Sequence, residues 1–409
     1  MAELPVSFTE STRLLMGPDR FERFLHSFDE QSPVSIRLNP LKAADMAVTV
    51  GEPVPWCRNG YYLPCRPNFT MDPLLHAGCY YVQEAASMFL DEVLRQHLTA
   101  SVLVHTALDM CAAPGGKSTL LRSALPPDSV LYSNEPVRLR AAILSENVAK
   151  WGYGNHYVTN AYPRDYRKSK MQFDLIVCDV PCSGEGMFRK DPATIREWSP
   201  QQVEKCWQLQ RDIVCDAWAC LKAGGLLIYS TCTFNTKENE ENIRWMLDEF
   251  GDAEVLPVDV RPDWHITGSL LDGFHEPVYR FIPGISRSEG LFVCVVHKQG
   301  QPPVRERVRS SGDYWSKHPE LRVISPLPAP QGTLPRVELD YPSAMAYLRH
   351  EALQLSPDTP RGIVEVCFLG HVLGQAKNIG TRANNLYPKE WKIKTTHIPN
   401  EYEPILRPL

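Results

Sequence analysis

The sequence predicts an α/β protein with a mostly parallel, Rossmann-like sheet covered by helices on both faces. Three observations predict it. Between residues 76 and 297, strand-like apolar runs alternate with helical segments, the pattern of right-handed βαβ units. The run "FDLIVCDV" is apolar without alternation, as a strand buried on both faces must be. Two such runs end in turn-forming sequence that carries a cysteine, "DVPCSGEGMFRK" and "YSTCTF".

Residues 1–75 form a mixed N-terminal region with helix signals near 9–28 and a short strand at "VSIRLNP". In "YVQEAASMFLDEVL" the apolar residues from Val82 to Leu94 fall on one helical face. The alternation then runs strand "TALDMC", helix "GKSTLLRSAL", strand "SVLYSN", helix "PVRLRAAILSENVAK", strands "NHYVTN" and "FDLIVCDV". A long helix is predicted over 199–223, with Ser199 as cap, Pro200 in the first turn, Gln202 completing a capping box and "AGG" ending it. Strand "LLIYS", a helix near 236–250 and a late strand "GLFVCVV" complete the domain. Proline density makes 298–335 a linker. Apolar runs return in 336–409, which is predicted to be a separate small α+β domain.

Composition narrows the function. The chain has 409 residues, 43% hydrophobic and 22% charged, ordinary for a globular protein. No apolar stretch is long enough to span a membrane, and the N-terminus lacks the pattern of a secretory signal; a cytoplasmic location is expected, and separately a monomer, although nothing in the sequence fixes the oligomeric state. The 12 cysteines and 12 histidines are scattered, without C-x-x-C or H-x-x-x-H pairs. Neither a disulfide framework nor a metal site is expected. Net charge is −5, but residues 301–409 carry more Lys and Arg than Asp and Glu, so a local basic face is compatible with an acidic whole.

Four constellations carry chemistry. In "LDMCAAPGGKS", Gly115 and Gly116 allow close backbone approach at a helix N-terminus, which suits a nucleotide-like ligand. A P-loop would need glycine at position 111, where Cys111 stands. Glu135, at the end of the next strand, is placed to bind ribose hydroxyls. Asp179, Pro181 and Cys182 fall at a strand's carboxyl end, which lines the ligand crevice of an open α/β sheet. A thiol there points to covalent chemistry, and methylation at carbon 5 of cytosine requires it. A thiolate adding at C6 makes C5 nucleophilic, and a base must later remove the C5 proton. Cys232 offers a second thiol, and spacing alone leaves open which one attacks. The remaining Cys178, Cys206, Cys215, Cys220, Cys294 and Cys367 read as small core residues. Cations interleaved with aromatics, at Arg164, Arg167 and Lys168, at Arg189 and Lys190, and at Lys377, Arg382 and Lys389, suit irregular or single-stranded nucleic acid.

These residues resemble the Fmu/Sun family of RNA (cytosine-C5)-methyltransferases. The resemblance rests on "SIRLNPLK", "HAGCYYVQEAASM", "DMCAAPGGKS", "DVPCSGEGMFRK", "YSTCTFNTKENEENI" and "GQAKNIGTRANNLYPK". It implies a class I methyltransferase domain over 76–297, an RNA-facing region over 1–75 and a PUA-like domain over 336–409. S-adenosyl-L-methionine is the implied cofactor, on Cys111, Ala112, Ala113, Pro114, Gly115, Gly116, Lys117, Glu135, Asp179 and Pro181. The resemblance makes Cys232 the nucleophile and Cys182 its helper in product release, with Asp179 on the target base and Lys117 near the catalytic centre. The family often has an aspartate near position 162; here Tyr162 stands there, leaving Asn160 or the tyrosine itself to meet the adenine. Ribosomal RNA, free or within a subunit, is the implied substrate. Transfer RNA is the alternative within the class, and an inert RNA-binding assembly factor the alternative outside it. The intact Asp179, Cys182 and Cys232 argue against the latter.

Overall fold

The computed structural model describes residues 4–98, 104–301, 321–324, 334–395, 397–399 and 401–409. Helices Val6–Met16 and Pro18–His26 come first. Their Phe8, Phe21 and Phe24 bury against Phe188, Trp198 and Phe234. Then follow β1 (Val34–Leu38), β2 (Met46–Val48), β3 (Glu52–Pro53), β4 (Gly60–Leu63) and β5 (Tyr80–Val82). They form an antiparallel sheet ordered β3-β4-β1-β5, with β2 outside it.

The central sheet contains β6 (Thr106–Asp109), β7 (Val130–Asn134), β8 (His156–Asn160), β9 (Phe173–Asp179), β10 (Leu221–Thr231), β11 (Ala253–Leu256), β12 (Tyr279–Phe281), β13 (Leu291–Lys298) and β14 (Arg322–Val323). Its order among the described residues is β11-β13-β10-β9-β6-β7-β8-β14, with β12 on β13. Strands β6 to β10 run parallel, and β13 is antiparallel to β10. Strand β9 explains why its run is apolar throughout. Leu175 and Val177 face one core with Phe89, Val93 and Leu120. Ile176 and Cys178 face the other, with Ile213, Val214 and Trp218 from helix Pro200–Cys220. The chain builds β6-β7-β8 outward and then returns to place β9 on the other side of β6. That reversal opens a crevice at the carboxyl ends of β6 and β9, the expected ligand position.

A last sheet, β15 (Arg336–Glu338), β16 (Gly362–Phe368), β17 (His371–Asn378) and β18 (Ala383–Asn385), carries helix Tyr341–Leu348. Strand β19 (Leu406–Pro408) returns to pair with β2.

Four expectations are corrected. The helical face expected from Val82 begins later, at Phe89, because Val82 pairs with Ile36 in the N-terminal sheet; that sheet therefore crosses the boundary at residue 75. Strand β10 starts directly after the long helix, and Gly224 and Gly225 fall inside it at a register shift. Gly225 has backbone and side-chain neighbours within 3.0 Å of where a Cβ would sit, so only glycine fits. Part of the expected linker is a strand: β14 pairs with β8, and Leu321 beside it is buried. Residues 302–320 and 325–333 of that linker lie outside the described residues. Nor does the C-terminal domain pack separately. Ile36, Leu74 and Tyr80 share one core with Tyr347, Val364 and Leu406. Tyr402 Oη donates to Asp72 at 3.1 Å and Tyr341 Oη to the Met71 carbonyl at 3.1 Å.

Candidate active site

At the end of β6 the chain turns through Cys111–Gly115 into helix Gly116–Ala124. Gly115 has φ +116°, a conformation side chains resist. Lys117, in the first helical turn, reaches across the crevice to Asp179 at the end of β9, 2.9 Å from Nζ to Oδ2. Ser230, on β10, donates to the other Asp179 oxygen at 2.7 Å. Burial lowers the Lys117 pKa, but Asp179 and then Asp109 outweigh it, and the net shift is upward. The lysine therefore stays charged.

The loops after β9 and β10 bring the two cysteines together, Sγ to Sγ 3.1 Å. Both are free thiols. The hydrogen bond to Cys232, and then burial, push the Cys182 thiol well up from its ordinary range, so Cys182 keeps its proton.

Two buried glutamates join the loops, and sequence reasoning missed both. Glu185 accepts the backbone N–H groups of Phe234 (2.7 Å) and Asn235 (3.0 Å), and Trp198 Nε1 (3.1 Å). Glu238 accepts the Ser183 N–H (3.0 Å), Gln210 Nε2 (2.7 Å) and Asn235 Nδ2 (2.8 Å). The Gly186 N–H donates to the Cys232 carbonyl at 2.7 Å, and a side chain at Gly186 would strike that carbonyl. The one available signal was the glutamate within "CSGEG" itself, acidic in an otherwise small-residue turn.

Glu135, 1% exposed at the end of β7, accepts the Val137 N–H and lies 3.3 Å from Arg140. Arg140 also donates to the Ala113 carbonyl at 3.1 Å, tying this acid to the glycine loop. Ala112 is buried and Pro114 and Pro181 are exposed at the crevice. Both amide hydrogens of Asn160 are spent on the Glu135 and Pro136 carbonyls, at 2.7 and 2.9 Å; Asn160 braces the turn beside Glu135. Tyr162 is 55% exposed, with Arg164 over its ring.

The expected RNA-binding cations divide. Arg164, Arg167, Lys168, Lys190, Lys377, Arg382 and Lys389 are exposed, Arg167 and Lys168 beside Asp216 and Asp165. Arg189 does not face solvent. It is buried against Glu289 at 3.4 Å and donates to the Glu30 carbonyl, because the N-terminal region covers the turn that carries it. Among the described residues no cluster of His, Cys, Asp or Glu is placed to hold a metal, and no helix is long and apolar enough to cross a membrane.

Comparison with known proteins adds three family matches: "16S rRNA methyltransferase RsmB/F" over residues 98–297, "N-terminal domain of 16S rRNA methyltransferase RsmF" over 4–85 and "Methyltransferase RsmF PUA domain" over 334–393. The chain belongs to the RsmB/F methyltransferase family. Its fold is the family's Rossmann-like methyltransferase fold, with a PUA domain at the C-terminus. The ribosomal RNA small subunit methyltransferase F of Pectobacterium atrosepticum is 34% identical, over 74% of this chain and 64% of its own length. The chain thus spans a little under two thirds of that relative. The protein of the same name from Erwinia tasmaniensis is 27% identical, over 94% of this chain and 96% of its own. A solved methyltransferase homolog from Pyrococcus horikoshii shares 26% identity at a TM-score of 0.57, covering 72% of this chain and 100% of its own. NSun6 from the same organism, at 18% identity and TM-score 0.57, shares the fold.

Proposed function

We propose that this protein methylates carbon 5 of a cytosine in small-subunit ribosomal RNA, with S-adenosyl-L-methionine as methyl donor. One observation carries the reading: two free thiols 3.1 Å apart beside an Asp179–Lys117 pair at the strand ends. The family's relatives named as ribosomal RNA small subunit methyltransferases support the substrate class.

The crevice fits the cofactor. Gly115, at the φ of +116° that side chains resist, turns the loop into the N-terminus of helix Gly116–Ala124, whose backbone N–H groups suit a nucleotide-like ligand. Glu135 stands at the end of the next strand for the ribose. When bound, S-adenosyl-L-methionine supplies an electrophilic methyl group. The rest falls to this chain. Asp179, held by Lys117 and Ser230, orients the flipped cytosine. The Cys232 sulfur forms a bond to C6, and the electron pair displaced toward C5 makes that carbon nucleophilic. Once C5 has taken the methyl group, leaving S-adenosylhomocysteine, a base removes the C5 proton, the C5–H electron pair expels Cys232 from C6 as a thiolate, and the Cys182 S–H beside that sulfur assists its release.

Bisulfite mapping of cellular ribosomal RNA with and without the protein tests this. One cytosine should lose its protection when the protein is absent. If every methylated cytosine persists, the substrate assignment fails.

A further inference from the structure

Arg37 has a place in the molecule that stability does not explain. It lies near the end of β1, in the N-terminal sheet, and is 2% exposed. Its guanidinium leaves that sheet to enter the methyltransferase domain. Nε donates to Gln83 Oε1 at 2.7 Å, and Nη2 donates to Thr119 Oγ1 at 2.6 Å and to the Gly116 carbonyl at 3.3 Å. Its face lies over the Trp151 ring, 4.5 Å from the centroid. Trp151 is itself tied to the same helix, since its Nε1 donates to Ser123 Oγ at 2.9 Å.

All three acceptors are neutral. Burial lowers the Arg37 pKa to about 10, which still leaves it charged. A buried cation with neutral partners bears a desolvation cost that an apolar side chain would avoid. It also sits at the first turn of helix Gly116–Ala124, where the helix dipole opposes positive charge. What the arrangement does supply is geometry. Gly116 and Thr119 flank Lys117, and their turn presents the backbone of the glycine loop.

We propose that Arg37 is a positioning residue: from the N-terminal unit it fixes the first helical turn after the glycine loop, and thereby sets affinity for the cofactor. The N-terminal unit is thus part of the cofactor site's framework. The inference rests on the methyltransferase reading above.

Calorimetry with S-adenosylhomocysteine on the full chain tests it. Arg37→Met should weaken binding at least tenfold. KM for S-adenosyl-L-methionine should rise in step, while kcat at saturating cofactor changes less than threefold. Arg37→Lys, which keeps a donor, should regain part of the loss. Thr119→Val, which removes the 2.6 Å acceptor together with the hydroxyl's own bonds to the Gly115 and Gly116 carbonyls at 2.8 and 3.1 Å, should weaken binding at least threefold and serves if Arg37→Met does not fold. Affinity within twofold of wild type in either Arg37→Met or Thr119→Val overturns the proposal. So does a loss in kcat that excess cofactor does not relieve, which marks a merely structural role. Failure of the wild-type protein itself to bind S-adenosylhomocysteine is a different result and sinks the methyltransferase reading instead.

Discussion

The backbone N–H of Cys232 donates to Cys182 Sγ at 3.3 Å, so the sulfur that lies 3.1 Å from the Cys232 thiol is also fixed by the Cys232 main chain. The two residues are 50 positions apart in sequence, yet neither sulfur can shift without disturbing the other loop.

That pairing predicts different fates for two variants. Cys232→Ala should form no bond to RNA and lose turnover by several orders of magnitude, as when a covalent step is removed. Cys182→Ala should still attack but stall before release. It should accumulate a protein–RNA adduct that survives denaturing electrophoresis and vanishes in the double variant. An adduct from Cys232→Ala instead would reverse the roles.

Glu185→Gln should separate the loops. The carboxylate accepts two backbone N–H groups and an indole N–H; an amide turns one of those acceptors into a donor. The expected cost is about 1–3 kcal/mol of stability, the penalty of an unsatisfied buried group. Turnover should fall more than tenfold. Thermal melting and single-turnover assays together check it, and unchanged rates would mean the loops hold without this acid.

Glu135→Ala should weaken S-adenosylhomocysteine binding by roughly 1.5–3 kcal/mol for each charge-assisted bond to the ribose that it removes. Calorimetry measures this directly. Equal affinity would remove Glu135 from the site.

Asp109 gives a pH signature. Burial raises its pKa to about 7 from an ordinary carboxylate value of 3.8, although Ser118 donates to it at 2.5 Å. The folded state therefore holds a proton that the unfolded state has released between those two values. Native stability from this group declines as pH rises through that window. Asp109→Asn has no such dependence. Its melting temperature should gain on wild type between pH 5 and pH 8, and a constant gap would contradict the assignment.

Removing charge from Lys377, Arg382 and Lys389 by alanine should weaken RNA binding and flatten its salt dependence. On a duplex the slope changes by about 0.9 for each phosphate that is no longer neutralised. Filter binding across salt concentrations reads this out, and an unchanged slope would take these cations off the RNA. Deleting 336–409 is the poorer test, because it strips the shared core from Ile36, Leu74 and Tyr80.

Much of this architecture was legible in the sequence because it is local. The apolar runs of β9 and β10, the glycine loop and the two cysteine turns each declare themselves within a dozen residues. The rest depends on partners far along the chain. Val82 is a strand residue only because Ile36 lies beside it. Glu185 and Glu238 stitch the loops with donors that no short window contains. Arg189 looks like an RNA-binding cation until Glu289, 100 residues away, takes it into the interior. The C-terminal unit looks independent because its shared core is split between the two ends of the sequence.

That split has a consequence for the order of folding. The pairing of Met46 with Pro408, at β2 and β19, closes nearly the whole chain into one loop. During synthesis the N-terminal sheet emerges well before the side chains from the C-terminal unit that cover Ile36 and Leu74. The central sheet, whose strands all lie between, can assemble while the outer layer waits. Long-range closure of this kind is slow, and an apolar face left waiting invites aggregation. Refolding from denaturant should therefore show two phases, an early one reported by Trp218 in the central domain and a late one reported by Trp391 beside the shared core.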